Sequence, residues 1–311
     1  MRAFSCMPSR LAHTYSIVAI DPETGDMGVA VQSHWFSVGS VVTWGEAGVG
    51  VVATQSLVNA SFGPKGLELM RGGRSPKAAV AKLISTDEGR DFRQLALLDS
   101  QGRAAAYTGS KCIQCAGQVV GDGYSVQANL MLNDRVWPAM SEAFGRSAGP
   151  LAERMLLALE AAEAVGGDIR GRQSAALLVV RGNATGKAWE DRLVDLRVED
   201  HPEPLFELSR LLKVHRAYGH MDDGDLALEK GEMQEAMTQY SAAEELFPEN
   251  EEMMFWHAVG LANSDRVKDS LPLFRAVFRK NPNWRVLLPR LLPNGLLKVR
   301  SEDLERIQRL R

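Results

Sequence analysis

Pro248 and Pro282 stand 34 residues apart, and the same offset pairs Tyr240 with Phe274, Ala243 with Val277, Ala236 with Ser270 and Gly224 with Ala258. No other feature of the chain constrains its fold as tightly. Small residues at such a period sit where two helices cross, an aromatic fills the groove between them, and proline closes the second helix. The C-terminal part must therefore be built from a helical hairpin used twice. The stretch HPEPLFEL, with Pro202 and Pro204, marks the joint before it. A chain of 311 residues is long enough for two cores, since domains cluster near ~100–200 residues.

The repeat resembles the tetratricopeptide unit in length and pattern, although His220 and Met254 stand where that unit opens on an aromatic. An all-α tetratricopeptide-like domain is expected over 217–311, behind a linker helix region at 201–216. Roughly three repeats are needed for an array to stand alone. Two must pack on the first module, on the helices around LSRLLKVHRAY and LLPRLLPNGLL, or on a second copy, so intimate domain packing or a homo-oligomer, most simply a homodimer, is expected. Arrays of this kind dock protein partners. The acidic MDDGD at 221–225 lacks the alternating ligands and closing Glu of an EF-hand loop and reads as a solvated helix start.

Before the joint the pattern is different. TYSIVAID and MGVAVQS are β-rich runs around a turn carrying Pro22 and Gly25, and VGSVVTW and GVGVVATQS predict two more strands. Helices follow at FGPKGLELMR, stopped by Gly72, and at SPKAAVAKLIS, with Ser75 as N-cap and Pro76 in its first turn. RQLALLD and RAAAYTGS form a hairpin, VVGDGYSVQANLM adds a strand, AMSEAFGR and LAERMLLALEAAEA are helices, and SAALLVVR and DRLVDLRVED close the domain near Asp200. Strands on either side of helix pairs predict an α+β fold over 13–200, a four-layer αββα sandwich. Residues 1–12 read as an N-terminal extension or propeptide, with Met7 an alternative start.

Several chemistries are absent from the motif pattern. GEAGVG lacks dinucleotide spacing, and there is no phosphate loop, GxSxG elbow or HExxH pair. Cys112 and Cys115 form a single CxxC with no partner pair to complete a metal site, and structural thiols are expected. No cofactor and no metal are expected. With 36 basic and 39 acidic residues the net charge is −3, so nucleic acid and anionic membranes are not expected partners. No apolar run approaches the ~18 residues of a membrane span. Three cysteines fit a reducing compartment, and a cytoplasmic location is expected.

Thr14, VAID at 18–21, a turn glycine and a strand ending in Ser33 resemble the nucleophile strand of isoaspartyl-peptidase and proteasome-like hydrolases. VATQSLVNASFGPKGLELM, TGSKC, GDGYSVQAN and GRQSAALLVV are similar to an uncharacterised bacterial family, domain of unknown function 1028, over about residues 13–205. The resemblance implies an N-terminal-nucleophile (Ntn) hydrolase-like fold. It also implies a chemistry in which self-cleavage exposes Thr14, whose hydroxyl attacks an amide carbonyl while its own α-amine takes the proton. Ser16 is the fallback nucleophile. Ser33, Gln55, Asn129 and Ser174 are the candidate lining of the substrate site and oxyanion. The implied activity is hydrolysis of a C–N bond in a small peptide or amide. A non-catalytic binding or scaffold protein on the same fold is the alternative.

Overall fold

The computed structural model describes residues 10–310, so the expected extension over 1–12 lies outside the described residues except for its last three. The chain divides into two compact units, Met1–Leu211 and Leu212–Arg311. The first is mixed α and β with antiparallel sheets, and the second is helical, in agreement with the sequence reading.

In the first unit β1 (Arg10–Ala12), β2 (Thr14–Ile20) and β3 (Met27–Ser33) precede a helical turn, α1 (Gly39–Val42), and then β4 (Thr43–Glu46) and β5 (Gly50–Val58). Helices α2 (Phe62–Arg71) and α3 (Pro76–Ser85) lead to β6 (Arg93–Asp99), β7 (Ala104–Thr108), β8 (Gly117–Gly121) and β9 (Tyr124–Ala128). Helices α4 (Val136–Arg146) and α5 (Leu151–Ala164) lead to β10 (Ser174–Val180) and β11 (Arg192–Val198). One sheet runs β1-β5-β6-β7 with β4 also on β5; the other runs β11-β10-β3-β2-β9-β8.

Local chemistry explains most of these elements. The β2–β3 turn closes through Asp21, whose N–H donates to the Asp26 carbonyl and whose carbonyl accepts from Gly25, both at 2.8 Å. Gly25 has φ +78°, a conformation that side chains oppose. Ser75 accepts from the Ala78 N–H to cap α3, and the Gly72 N–H donates back to Glu68 to end α2, as expected.

Three expectations are corrected. VGSVVTW is not one strand: Val38, Val41 and Val42 are buried together at helical spacing, which one turn of helix achieves and a strand does not. VVGDGYSVQANLM is two strands, β8 and β9, joined by Asp122 and Gly123, the latter at φ +73° in a two-residue turn of the Asp-Gly type. MDDGD lies inside a helix rather than at its start, because Met221 and Gly224 belong to the buried stripe while Asp222, Asp223 and Asp225 face solvent.

Helices α2 and α3 cover the outer face of the first sheet over Val52, Leu95 and Leu97. The outer face of the second sheet packs on α5, and at Gly28 a Cβ would lie 2.3 Å from Met155 Cε, so any larger residue there must displace the Met155 side chain. The inner faces of the two sheets meet. At one end the interior is apolar, built from Val18, Val29, Val31, Val51, Ala53, Ala96, Leu98 and Leu178. At the other end, around the start of β2, it is polar.

The second unit contains the end of α6 (Pro204–Glu229), within which the unit boundary falls, then α7 (Met233–Leu246), α8 (Glu251–Asn263), α9 (Val267–Lys280), the short α10 (Asn283–Leu287) and α11 (Ser301–Gln308). The expected linker region, 201–216, is thus from Pro204 onward the first half of a continuous helix. Helices α7 and α9 start and stop 34 residues apart, and Ala236, Tyr240, Ala243, Ser270, Phe274 and Val277 are all buried, which accounts for the period physically. Among the described residues no helix is long and apolar enough to cross a membrane.

Candidate active site

Strand alternation aims Thr14 and Ser16 of β2 at the interior between the sheets, while Tyr15 points the other way, toward α5, where its hydroxyl donates to Glu163 Oε2 at 2.6 Å. Burial, with the Glu163 carboxylate next to it, raises the Tyr15 pKa well above its ordinary value, so the phenol stays a neutral donor. Thr14 and Ser16 are fully buried. Their surroundings are polar. Gln55 of β5, Gln94 of β6, Gln127 of β9 and Asn129 just beyond β9 are all 0 % exposed, and their amides form one network.

In that network the Ser16 hydroxyl donates to Gln55 Oε1 at 2.6 Å and accepts from Gln127 Nε2 at 2.6 Å. Gln94 Oε1 accepts from Gln55 Nε2 at 2.7 Å and from Asn129 Nδ2 at 2.8 Å. Gln94 Nε2 in turn donates to Thr108 Oγ1 at 2.8 Å and to the Ala128 carbonyl at 2.9 Å. The Thr14 carbonyl accepts from the Asn129 N–H at 3.1 Å and from Gln55 Nε2 at 3.2 Å. A buried amide left unpaired costs about 1–3 kcal/mol, so such a network holds one side-chain arrangement or none.

The peptide bond between His13 and Thr14 is the focus of a second set of contacts. The His13 carbonyl oxygen accepts from Ser33 Oγ at 2.5 Å and from Arg170 Nη2 at 2.7 Å. Arg170 is fixed by Asp168, to which Nε donates at 3.0 Å and Nη2 at 2.7 Å, and the Asp168 carboxylate is fully buried. The His13 imidazole meets Asn129 Oδ1 at 2.8 Å. Its pKa is lowered, chiefly by burial and further by the Arg170 charge, so the ring is held neutral. A peptide carbonyl that accepts from a hydroxyl and a guanidinium is polarised, with its carbon made more electrophilic.

Of the residues singled out from sequence, Thr14, Ser16, Ser33, Gln55 and Asn129 come together here. Ser174 is opposite Ser33 in the strand register, but its hydroxyl accepts from the Val38 N–H at 3.1 Å and donates to the Trp35 carbonyl, so it pins the loop after β3. Ser16 has both its proton and an acceptor position engaged by amides. Sequence reasoning missed Arg170, Asp168, Gln94 and Gln127. Gln94 had a signal, being the one uncharged polar residue in the apolar run QLALL, whereas Gln127 shares the inward face of β9 with Ser125 and had a weaker one. The Asp-x-Arg pair had only the flanking Gly167 and Gly171 to mark a structured turn. Cys112 donates its thiol to the Arg93 carbonyl at 3.3 Å, and burial pushes its pKa up, which makes it a poor nucleophile.

The structure is similar to the crystal structure of protein SPO2555 from Silicibacter pomeroyi, assigned to DUF1028. The two are 36% identical with a TM-score of 0.59 over 65% of this chain and 85% of that one. It also matches Anbu, the ancestral beta-subunit from Yersinia bercovieri, at 14% identity and a TM-score of 0.31 over 63% of this chain and 92% of that one, a likeness too slight to carry an argument. No protein of curated function matches the sequence. The model of a family of unknown function, DUF1028, matches residues 14–208, beginning on Thr14 itself, and with the Silicibacter pomeroyi relative it shows that this chain belongs to the DUF1028 family.

Proposed function

We propose that this protein is an N-terminal-nucleophile amide hydrolase, made as a precursor that cleaves itself between His13 and Thr14, on a four-layer αββα sandwich of that type. The observation that carries the reading is the His13 carbonyl, which accepts from both Ser33 Oγ and Arg170 Nη2 immediately before a threonine that opens an interior strand. Thr14 Oγ adds to the His13 carbonyl carbon, the C–N bond breaks as the hydroxyl proton passes to the Thr14 nitrogen, and water hydrolyses the resulting ester. The products are a carboxylate on His13 and a free α-amine on Thr14. That amine, with an ordinary pKa of about 7.7–8.0, then serves as the base for the Thr14 hydroxyl at neutral pH. Ser33 and Arg170, released from the leader carbonyl, are left to hold the oxyanion of a substrate amide. Each such donor contributes roughly 10²–10³ in rate in enzymes of known mechanism.

The helical hairpins serve, on this reading, as a tetratricopeptide-like module for docking or dimerisation. The scaffold alternative draws on one fact, the complete burial of Thr14. Intact mass of the purified protein separates the two. Loss of the segment before Thr14, abolished by Thr14→Ala, supports the hydrolase. A full-length chain that never cleaves and hydrolyses no amide supports the scaffold.

A further inference from the structure

The strand that precedes the proposed scissile bond is not part of the sheet that carries Thr14. β1 lies along the edge of β5 in the other sheet, antiparallel, with Arg10 opposite Val58, Leu11 opposite Leu57 and Ala12 opposite Ser56. β6 runs along the opposite edge of β5 as far as Ser56, and β4 covers the β1 side only over Gly50–Ala53. Leu57 and Val58 have β1 as their strand partner. The chain then crosses between the sheets at His13, whose carbonyl is delivered to Ser33 and Arg170. The family match starts at residue 14, directly after this crossing.

We infer that β5 residues 56–58 are a peptide-binding edge: the substrate is an extended peptide that pairs its backbone antiparallel to β5 where β1 now lies, with its scissile carbonyl at Ser33 and Arg170. This rests on the proposed hydrolase reading and narrows its substrate from any small amide to a peptide with at least three residues on the acyl side. An open strand edge presents unpaired N–H and C=O groups and takes up an added strand through main-chain hydrogen bonds. The direction is set by β1: a chain running toward the catalytic threonine must pass Val58 first and Ser56 last. The same geometry makes the leader a product-like occupant, which after cleavage holds the edge until a substrate displaces it. A guanidinium facing the new carboxylate of residue 13 strengthens that hold.

The test is hydrogen exchange at the amides of residues 56–58, with a synthetic peptide of sequence 7–13 as probe. Full-length protein carrying Leu11→Pro cannot pair β1 normally, because proline lacks the N–H and cannot sit freely in a ladder. Exchange at 56–58 is expected to be at least tenfold faster than in the unmodified chain. Adding the peptide restores slow exchange, whereas the same peptide N-methylated at its backbone does not. If the peptide leaves exchange at 56–58 unchanged, the inference is wrong. Should Leu11→Pro fail to fold, the chain lacking residues 2–12 takes its place. Failure of both to fold also overturns the inference, since a strand the fold requires is not one that a substrate replaces. The readout is binding and not cleavage. A chain that never loses its leader by intact mass sinks the hydrolase reading and with it the substrate claim, leaving the exchange measurement to decide only whether residues 56–58 bind a peptide, while a chain that cleaves but ignores the peptide sinks only the edge.

Discussion

Arg170 donates from Nη2 to the carbonyl oxygen of His13 at 2.7 Å while the same nitrogen donates to Asp168 Oδ2, also at 2.7 Å. One cation is thereby oriented by a buried carboxylate and spent on a single peptide oxygen, the one that precedes Thr14. Lysine cannot reproduce this, since a point ammonium lacks the planar fork that bonds Asp168 and a carbonyl together. Arg170→Lys is therefore expected to slow leader loss by about 10²-fold and Ser33→Ala by a similar factor, with the folded state kept. Intact mass against time after expression measures both; cleavage at the unmodified rate in Arg170→Lys would remove the guanidinium from the mechanism.

Gln94 joins Gln55, Asn129 and Thr108. Gln94→Leu preserves bulk but removes the shared acceptor of Gln55 Nε2 and Asn129 Nδ2, leaving each only longer bonds of 3.2–3.4 Å to main-chain carbonyls. The expected loss is about 2–4 kcal/mol of stability, from two buried donors at ~1–3 kcal/mol each with partial relaxation. Urea denaturation checks it, and the double variant with Gln55→Leu should lose less than the sum of the two single losses, because the partners vanish together.

His13 is buried neutral, with its pKa below the ordinary value near 6.5. Its folded pKa is depressed, so as pH falls below that ordinary value the unfolded chain takes up protons before the folded one does, and stability declines until the folded pKa is passed. Unprocessed protein, which keeps His13 in place, should lose stability between neutral pH and about pH 5 more steeply than its His13→Gln variant. Equal slopes in thermal denaturation across that window would show that the imidazole is not the group responsible.

In the helical unit, a Cβ on Gly224 would lie 2.5 Å from Cε1 of Tyr240, whose hydroxyl donates to Asp225 at 2.6 Å. Gly224→Ala gains helix propensity of at most ~1 kcal/mol and loses about 1–3 kcal/mol to overpacking. A net destabilisation of unit Leu212–Arg311 is expected, visible as faster exchange in α7 with the sheets unaffected. A more stable variant would mean that the helices separate freely at this crossing.

Much of the architecture was open to sequence reasoning because it is local. The Ser75–Pro76 helix start, the Gly72 stop and the Pro22–Gly25 turn each depend on residues within one or two turns of chain, and the 34-residue period is the spacing of two consecutive hairpins. Where the reading slipped, at Val38–Val42 and at Asp122–Gly123, short apolar runs were compatible with more than one element, and burial from distant strands chose between them.

Sequence by itself determined the two-part division, the order of hairpins and helix pairs, and Thr14 as the opening of an inward-facing strand, because alternation and repeat period are patterns of residue type along the chain that need no knowledge of tertiary contacts. The tertiary structure alone decided what surrounds Thr14. Asp168 and Arg170 reach it from beyond α5, Gln94 and Gln55 from the facing sheet, and β1 turns out to pair with β5 rather than to extend β2. Those partners lie tens to more than a hundred residues away along the chain, and hydrogen bonding between buried polar groups is satisfied by whichever donors the packed sheets bring within 3 Å, a condition no local pattern encodes.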